Sequence, residues 1–97
     1  MKIGNVKLKN NLVLAPMAGV SDLSFRRLAV EQGCGLVVSE MVSAKGLLVG
    51  GERTRSYLAS TPDERPLSVQ LFGDDPQVIG EAALIVEECG AALVDIN

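Results

Sequence analysis

Four short segments carry side chains that a purely structural turn would not need: residues 16–19, 39–41, 70–73 and 95–97. The amides of Gln70 and Asn97 can both donate and accept hydrogen bonds, which suits a ligand with mixed polar groups. Taken singly, each segment has an ordinary alternative: Met17 could be a core residue, Glu40 a surface acid and Gln70 a satisfied buried amide. The choice depends on whether the fold brings the four segments together.

The composition excludes several common catalytic centres. With no histidine and only two cysteines, Cys34 and Cys89, the chain offers no zinc site of the usual composition. The same absence removes any Ser-His-Asp or Cys-His arrangement from these residues. Each cysteine lies next to a glycine near the end of a predicted helix, and we expect two buried thiols in a reducing compartment.

Length and charge are those of one small folded domain. The 97 residues carry a formal net charge of −3, whereas a protein that holds nucleic acid by itself usually presents a basic patch. Two small basic groups are expected to be solvated faces: Lys2 with Lys7 and Lys9, and Arg26 with Arg27. Because neither a signal-peptide apolar region nor a bilayer-spanning run is present, we expect a cytoplasmic protein.

Four short apolar runs, rich in valine, leucine and isoleucine, occupy residues 12–15, 36–38, 67–71 and 92–96. Each run is uninterrupted rather than strictly alternating, which is typical of parallel strands buried on both faces of a sheet. Residues 1–11 are expected to form a small hairpin through Gly4 and Asn5. The runs therefore predict four parallel strands after a hairpin.

The segments between the runs have helical character. Residues 22–32 are predicted to form a helix with Ser21 as N-cap and Gly33 as its left-handed end. A later helix is predicted to begin after Asp75, with Pro76 in its first turn, and to end at Gly90. Residues 44–59 fit a helix with an inserted loop, since three glycines weaken it, and residues 60–65 are predicted to form a polar turn.

The order β-α-β-α-β-α-β after the hairpin predicts an α/β fold with a parallel sheet. An open doubly wound sheet and a barrel both fit this order. The connection after the first strand lacks the G-x-G-x-x-G spacing of a dinucleotide turn and the lysine of a P-loop. We therefore predict a (β/α)8 TIM barrel of about 250 residues, of which residues 1–97 form the first half, with its active site at the C-terminal strand ends.

Four motifs follow one another along the chain: Ala15-Pro16-Met17-Ala18-Gly19-Val20-Ser21-Asp22 with Phe25-Arg26, Ser39-Glu40-Met41, Val69-Gln70-Leu71-Phe72-Gly73 and Val94-Asp95-Ile96-Asn97. Together they resemble the bacterial form of the tRNA-dihydrouridine synthase family. The resemblance extends over essentially all 97 residues, in order and with matching spacing. Four motifs in register are far more specific than any one of them.

The resemblance implies a flavoenzyme that reduces the C5–C6 double bond of particular uridines in tRNA, with FMN as cofactor and NADPH as electron donor. Pro16, Met17 and Ala18 match the segment that lies against the flavin ring, and Gln70 matches a residue that hydrogen-bonds the ring. Asn97 matches a residue that holds the target uracil, which must leave its base stack to reach the flavin. In such enzymes a C-terminal helical domain helps to bind tRNA.

The resemblance also implies parts of the enzyme beyond Asn97. Family members continue with a glycine-cysteine-proline segment whose cysteine protonates the uracil ring, so no catalytic residue is expected within residues 1–97. We expect this chain to be the N-terminal part of a longer enzyme, inactive alone and prone to self-association. Glu40 and Asp95 stay open between a role towards substrate and a structural role.

Two rival interpretations stay open. Other FMN barrels, such as dihydroorotate dehydrogenases and relatives of old yellow enzyme, use a similar Ala-Pro-Met turn. The neighbourhoods of Phe25-Arg26 and Asp95-Ile96-Asn97 favour the uridine-reducing family instead. A non-catalytic half-barrel that oligomerises and serves as a scaffold is the rival from a different class, and flavin absorbance after purification distinguishes it from both enzymes.

Overall fold

The computed structural model describes all of residues 1–97. Its regular elements are seven strands, four α-helices and a short 3-10 helix. The strands are β1 (Lys2–Ile3), β2 (Val6–Lys7), β3 (Val13–Leu14), β4 (Leu36–Val38), β5 (Val42–Ser43), β6 (Leu67–Phe72) and β7 (Leu93–Ile96). The α-helices are α1 (Leu23–Glu31), α2 (Ala44–Leu48), α3 (Glu52–Ser56) and α4 (Pro76–Glu88), and the 3-10 helix is Pro62–Glu64. None of the helices is both long and apolar enough to cross a bilayer.

A small hairpin precedes the main sheet, as predicted. β1 pairs antiparallel with β2, and Gly4 and Asn5 form the turn between them. The side chains of Lys2, Lys7 and Lys9 are exposed, which confirms that this basic group is a solvated face.

The other strands form one sheet in which every pair is parallel. β3 pairs with β4; β4 and β5 share one edge of β6, and β7 pairs with the other edge. β4 and β5 are one interrupted strand, because residues 39–41 lie opposite only Val69 and Gln70 of β6. The predicted α/β fold with a parallel sheet is confirmed, and strands consecutive in the chain are neighbours in the sheet.

The two faces of β6 have different surroundings. Leu67, Val69 and Leu71 belong to the main apolar core, together with Ala82 and Val86 of α4. Ser68 and Gln70 point to the opposite face, since successive side chains of a strand alternate between faces. The prediction of a strand buried on both faces is confirmed for β6, whose residues Leu67–Leu71 are all buried, although its second face carries the polar side chains of Ser68 and Gln70. It is wrong for β7, where Val94 and Ile96 are exposed.

Helix α1 and its N-cap each begin one residue later than predicted. Asp22, and not Ser21, is the N-cap, and its carboxylate Oδ1 accepts the Phe25 amide hydrogen at 2.9 Å. The prediction of Ser21 as the cap is wrong because the Ser21 hydroxyl turns the other way and bonds the backbone of Met17. Asp22, which the sequence assigned to the first helical position, is therefore the residue that precedes and caps α1.

The ends of α1 and α4 follow the sequence signals. Gly33 has φ +100° and Gly90 has φ +93°, so both occupy the left-handed region that other residues resist. Asp75 caps the first turn of α4 by accepting from the Gln77 amide at 2.9 Å, and Pro76 follows it as predicted.

Residues 44–59 form the predicted helix with an inserted loop, as the two five-residue helices α2 and α3 separated by residues 49–51. The strand β5 that precedes α2 was not predicted. The predicted polar turn contains the 3-10 helix Pro62–Glu64. Glu64 is completely buried there, so this connection has a polar interior of its own.

Arg26 and Glu64 form a buried ion pair, which contradicts the prediction that Arg26 is solvated. The guanidinium contacts both carboxylate oxygens of Glu64, at 3.0 and 3.2 Å, and the side chains of Arg26 and Glu64 are 3% and 0% exposed. Arg26 also donates to the carbonyls of Ser21 and Ala59, each at 3.0 Å, and the Ser60 hydroxyl donates to Glu64 at 2.8 Å. The guanidinium can be buried because acceptors in two connections bind it: Ser21 before α1, and Ala59 with Glu64 between α3 and β6.

The next arginine forms the solvated counterpart of this pair. Arg27 Nε lies 3.0 Å from Asp63 Oδ2, with the two side chains 48% and 56% exposed. A hydrogen bond from the Thr61 hydroxyl, and then the Arg27 guanidinium, hold the pKa of Asp63 below its usual value. Of the two adjacent arginines, the prediction of a solvated face therefore holds for Arg27 and not for Arg26.

The prediction of two buried thiols is wrong. Cys34 is only partly buried against the core, where its thiol contacts the carbonyl of Leu36 at 3.1 Å. Cys89 is exposed, because it is the C-cap of α4 and the last core contact of that helix is Val86.

We expect Arg26→Met to lower the free energy of unfolding by about 3–5 kcal/mol, since it leaves the Glu64 carboxylate buried and unpaired. Arg27→Met is the matched control and should leave the unfolding midpoint nearly unchanged, because solvent screens its pair. Urea denaturation of the full-length protein measures both. Equal effects of the two substitutions would contradict the difference in burial.

The 97-residue chain expressed alone should self-associate or stay partly unfolded. β3 and β7 each pair on one side only, and unpaired strand edges are templates for pairing with another chain. Val94 and Ile96 of β7 are 38% and 65% exposed, which adds apolar surface at that edge. Light scattering and a thermal melt test this expectation, and a monomer with one sharp cooperative transition would refute it.

Candidate functional site

The carboxyl ends of β6 and β7 bring two predicted segments together. Gln70 and Asp95 are register partners, so their side chains project from the same face of the sheet. The Gln70 amide Nε2 donates to Asp95 Oδ2 at 2.6 Å. This short contact to a charged acceptor orients the Gln70 amide group.

Asn97 completes the cluster. It lies two residues after Asp95 and therefore returns to the same face of the strand. Its backbone N–H continues the ladder by donating to the Leu71 carbonyl at 2.9 Å, which fixes its position after β7. Its side-chain Nδ2 donates to Gln70 Oε1 at 3.4 Å. We refer to Gln70, Asp95 and Asn97 as the amide cluster.

Gln70 is held through both its backbone and its side chain, yet its amide group keeps unused hydrogen-bonding capacity. Its backbone N–H donates to the Ser39 hydroxyl at 3.1 Å, and the residue is 8% exposed. A glutamine amide has two N–H donors and two acceptor lone pairs. Since Asp95 and Asn97 engage one of each, one donor and one lone pair stay available to a ligand.

The connection from β3 to α1, residues 15–22, is called loop 1. It is closed by a turn in which the amides of Val20 and Ser21 donate to the Met17 carbonyl at 3.0 and 2.9 Å. At its tip, the Gly19 N–H donates to Glu40 Oε1 at 2.5 Å. Glu40, whose role the sequence left open, thus ties loop 1 to the connection between β4 and β5.

Pro16 and Met17 belong to loop 1, which begins directly after β3. Pro16 is half-buried and borders a groove of about 360 Å³ that also includes Ser68 and Asp95. Met17 is 37% exposed, so its thioether is displayed rather than packed into the core. The interpretation of Met17 as a core residue is therefore wrong.

Ala18 faces a second cleft, which it shares with Glu40, Met41 and Tyr57. Met41 of this cleft approaches the amide cluster, since its sulfur lies 3.9 Å from Asn97 Nδ2. Among the predicted site residues the structure therefore joins Gln70 to Asn97, whereas no hydrogen bond links either of them to Met17 or Ala18.

Sequence reasoning missed two serines that position the site. Ser39 holds the backbone of Gln70, and Ser21 holds the backbone of Met17. Both are completely buried. Each serine lies directly beside the end of a predicted strand or helix. This was the available signal in the sequence, but it did not reveal the positioning role, because a serine at such an end is equally typical of an ordinary cap.

Comparison with known proteins places these features in one family. The family model described as dihydrouridine synthase (Dus) matches residues 13–97. A probable tRNA-dihydrouridine synthase of Rickettsia bellii is 44% identical over 98 residues. A tRNA-dihydrouridine synthase B of Vibrio parahaemolyticus is 45% identical over 97 residues, and one of Pseudomonas aeruginosa is 44% identical over 97 residues.

The similarity extends along the whole chain but along only part of these relatives. Each alignment covers 100% of this chain, and the chain spans 29–30% of the length of the curated relatives it matches. The matched segment includes loop 1, the connection between β4 and β5, and the amide cluster. On this basis the chain belongs to the dihydrouridine synthase family.

Proposed function

We propose that this chain is the N-terminal part of the catalytic domain of a cytoplasmic tRNA-dihydrouridine synthase. The full enzyme reduces the C5–C6 double bond of specific uridines in tRNA, with FMN as cofactor and NADPH as the source of electrons. The observation that carries the proposal is the amide cluster, two neutral amides and a carboxylate at the carboxyl ends of adjacent parallel strands. Its support is the name shared by relatives that match the whole chain.

A (β/α)8 barrel is the architecture that we propose for the full catalytic domain. In support, the parallel strands β3, β4 with β5, β6 and β7 are neighbours in chain order, as in the first half of such a barrel. Helices α2 and α4 cover one face of the sheet. The sheet face that carries Ser68 and Gln70 would then line the barrel interior, and the amide cluster would lie at its C-terminal mouth.

The residues present fit the ring of FMN. Gln70 keeps one donor and one lone pair, and an isoalloxazine edge offers groups of both kinds. Met17 offers an exposed apolar side chain to the flat ring face, and its neighbours Pro16 and Ala18 offer backbone groups. When bound, FMN supplies the hydride for the reduction, while the protein supplies position and electrostatics.

Asn97 orients the target uracil in this proposal. Its Oδ1 accepts no hydrogen bond from residues 1–97, and its Nδ2 bonds only weakly at 3.4 Å, so both groups can turn to the polar edge of a base. A cysteine from the part of the enzyme beyond Asn97 delivers the proton to the ring. Asp95 keeps Gln70 oriented and needs no contact with substrate.

Most of the affinity for tRNA must come from other parts of the full enzyme. The net charge of this chain is −3, and Arg26 is used internally by Glu64. Phosphate neutralisation dominates the affinity of most nucleic-acid-binding proteins. We propose that a C-terminal helical domain supplies the main cationic surface.

Replacement of Gln70 tests the cofactor part of the proposal. In the full-length enzyme, Gln70→Ala should weaken FMN binding several-fold, because one neutral hydrogen bond contributes about 0.5–1.5 kcal/mol net. Gln77→Ala, an identical change at an exposed position of α4, is the control and should not alter FMN affinity. Equilibrium titration with FMN provides the measurement. Equal FMN affinity in both variants would remove Gln70 from the cofactor site.

Replacement of Asn97 should separate substrate from cofactor. Asn97→Ala should leave flavin content and NADPH oxidation nearly intact, yet slow the oxidation of reduced flavin by tRNA, because the uracil loses a partner. Stopped-flow absorbance with NADPH and then with unmodified tRNA follows the two half-reactions separately. Loss of flavin from Asn97→Ala, with tRNA turnover alone affected in Gln70→Ala, would reverse the two assignments.

Residues 1–97 alone should show no synthase activity. The proposed proton donor and most of the contacts to the FMN phosphate belong to the rest of the full enzyme. The assay is reduction of unmodified tRNA by the purified chain in the presence of NADPH and FMN. Turnover above a control without protein would show that the chemistry resides within these residues.

A further inference from the structure

We propose that Ser21 is a positioning residue of the flavin site, which fixes the backbone of Met17 and is itself held by the buried Arg26–Glu64 pair. The inference rests on the proposed function, because it takes loop 1 to face FMN. Neither Ser21 nor Arg26 would touch the cofactor. Their contribution would be to present Met17 in one conformation before FMN binds.

Ser21 closes loop 1 through both of its hydrogen-bonding functions. Its Oγ accepts from the Met17 N–H at 2.9 Å and donates to the Met17 carbonyl at 3.2 Å. The same carbonyl accepts from the backbone amides of Val20 and Ser21. Both backbone polar groups of Met17 are therefore occupied within the loop, and Ser21 itself is 0% exposed. Water cannot replace the hydroxyl without opening the loop.

The carbonyl of Ser21 is fixed from the opposite side. Arg26 Nη1 donates to it at 3.0 Å, and the remaining donors of Arg26 engage Glu64 and the Ala59 carbonyl. Glu64 accepts a further bond from Ser60. A continuous series of buried and partly buried hydrogen bonds thus runs from the connection between α3 and β6, through Arg26, to loop 1.

Met17 combines a fixed backbone with an accessible side chain. Its main-chain groups are fully bonded, yet the residue is 37% exposed, directly after Pro16, which borders the groove with Ser68 and Asp95. Glu40 holds the far end of the loop through the Gly19 amide. A site that is fixed in advance loses less conformational entropy when the ligand binds. This arrangement therefore favours a flat ring placed against Met17.

The test compares Ser21→Ala with Ser24→Ala in the full-length enzyme. The two variants remove the same hydroxyl, but Ser24 is exposed on α1 and outside the loop. Ser21→Ala should weaken FMN affinity about tenfold, because it removes two hydrogen bonds from the loop. The visible absorption band of bound FMN should also shift at saturating FMN. Ser24→Ala should match the wild type in both measurements.

Two further readouts separate positioning from loss of folding. Urea denaturation establishes that each variant is folded under the titration conditions. Amide hydrogen exchange without FMN should be faster at Met17, Val20 and Ser21 in Ser21→Ala, and unchanged in the β6 strand. Arg26→Lys, which keeps the charge but not the fork geometry, should raise loop exchange in the same direction.

The outcomes distinguish this inference from the proposed function. A folded Ser21→Ala enzyme with wild-type FMN affinity and an unshifted absorption band would overturn the positioning role while leaving the proposed function intact. A folded wild-type enzyme without affinity for FMN would overturn the proposed function and the inference with it. Weaker binding in Ser21→Ala alone, with faster exchange confined to loop 1, supports both.

Discussion

β6 has parallel neighbours on both of its edges, and this pairing decides which side chains of the site can meet. Gln70 faces Asp95 because the two are register partners, and Asn97 joins them because it lies two residues further along the same ladder. A shift of one residue in the pairing would turn one side of the contact to the opposite face. The amide cluster therefore depends on backbone register first and on side-chain hydrogen bonds second.

A second constraint acts on loop 1, which is held by buried polar groups rather than by apolar packing. Burying Arg26 and Glu64 carries a desolvation penalty that their mutual attraction alone does not reliably offset. The bonds to Ser21, Ala59 and Ser60 satisfy the remaining polar atoms. Such a pair adds little stability over an apolar one of similar volume. Its distinctive contribution here is a geometric link between residues that are 38 positions apart.

The parts of the fold that the sequence predicted are those with local signals. Asp75 with Pro76, and the glycines after α1 and α4, mark helix ends through their own backbone preferences. The buried pair could not be predicted, because Arg26 meets Glu64 only in the folded chain. The cap of α1 could not be predicted either, because the adjacent residues Ser21 and Asp22 are equally good caps by type. Likewise, the motifs predicted that Gln70 and Asn97 lie at the carboxyl ends of strands. The contact of Gln70 with Asp95 follows from the pairing of β6 with β7, which neither strand encodes alone.

We propose that the carboxyl ends of β6 and β7 hold a flavin, with Gln70 at the ring edge and Met17 against the ring. A crystal structure of the full-length enzyme with FMN tests it most directly. We predict a hydrogen bond of about 3 Å between the Gln70 amide and the isoalloxazine, with Asp95 still bonded to Gln70. A flavin bound away from β6, with the Gln70 amide engaged only by Asp95 and Asn97, would contradict it.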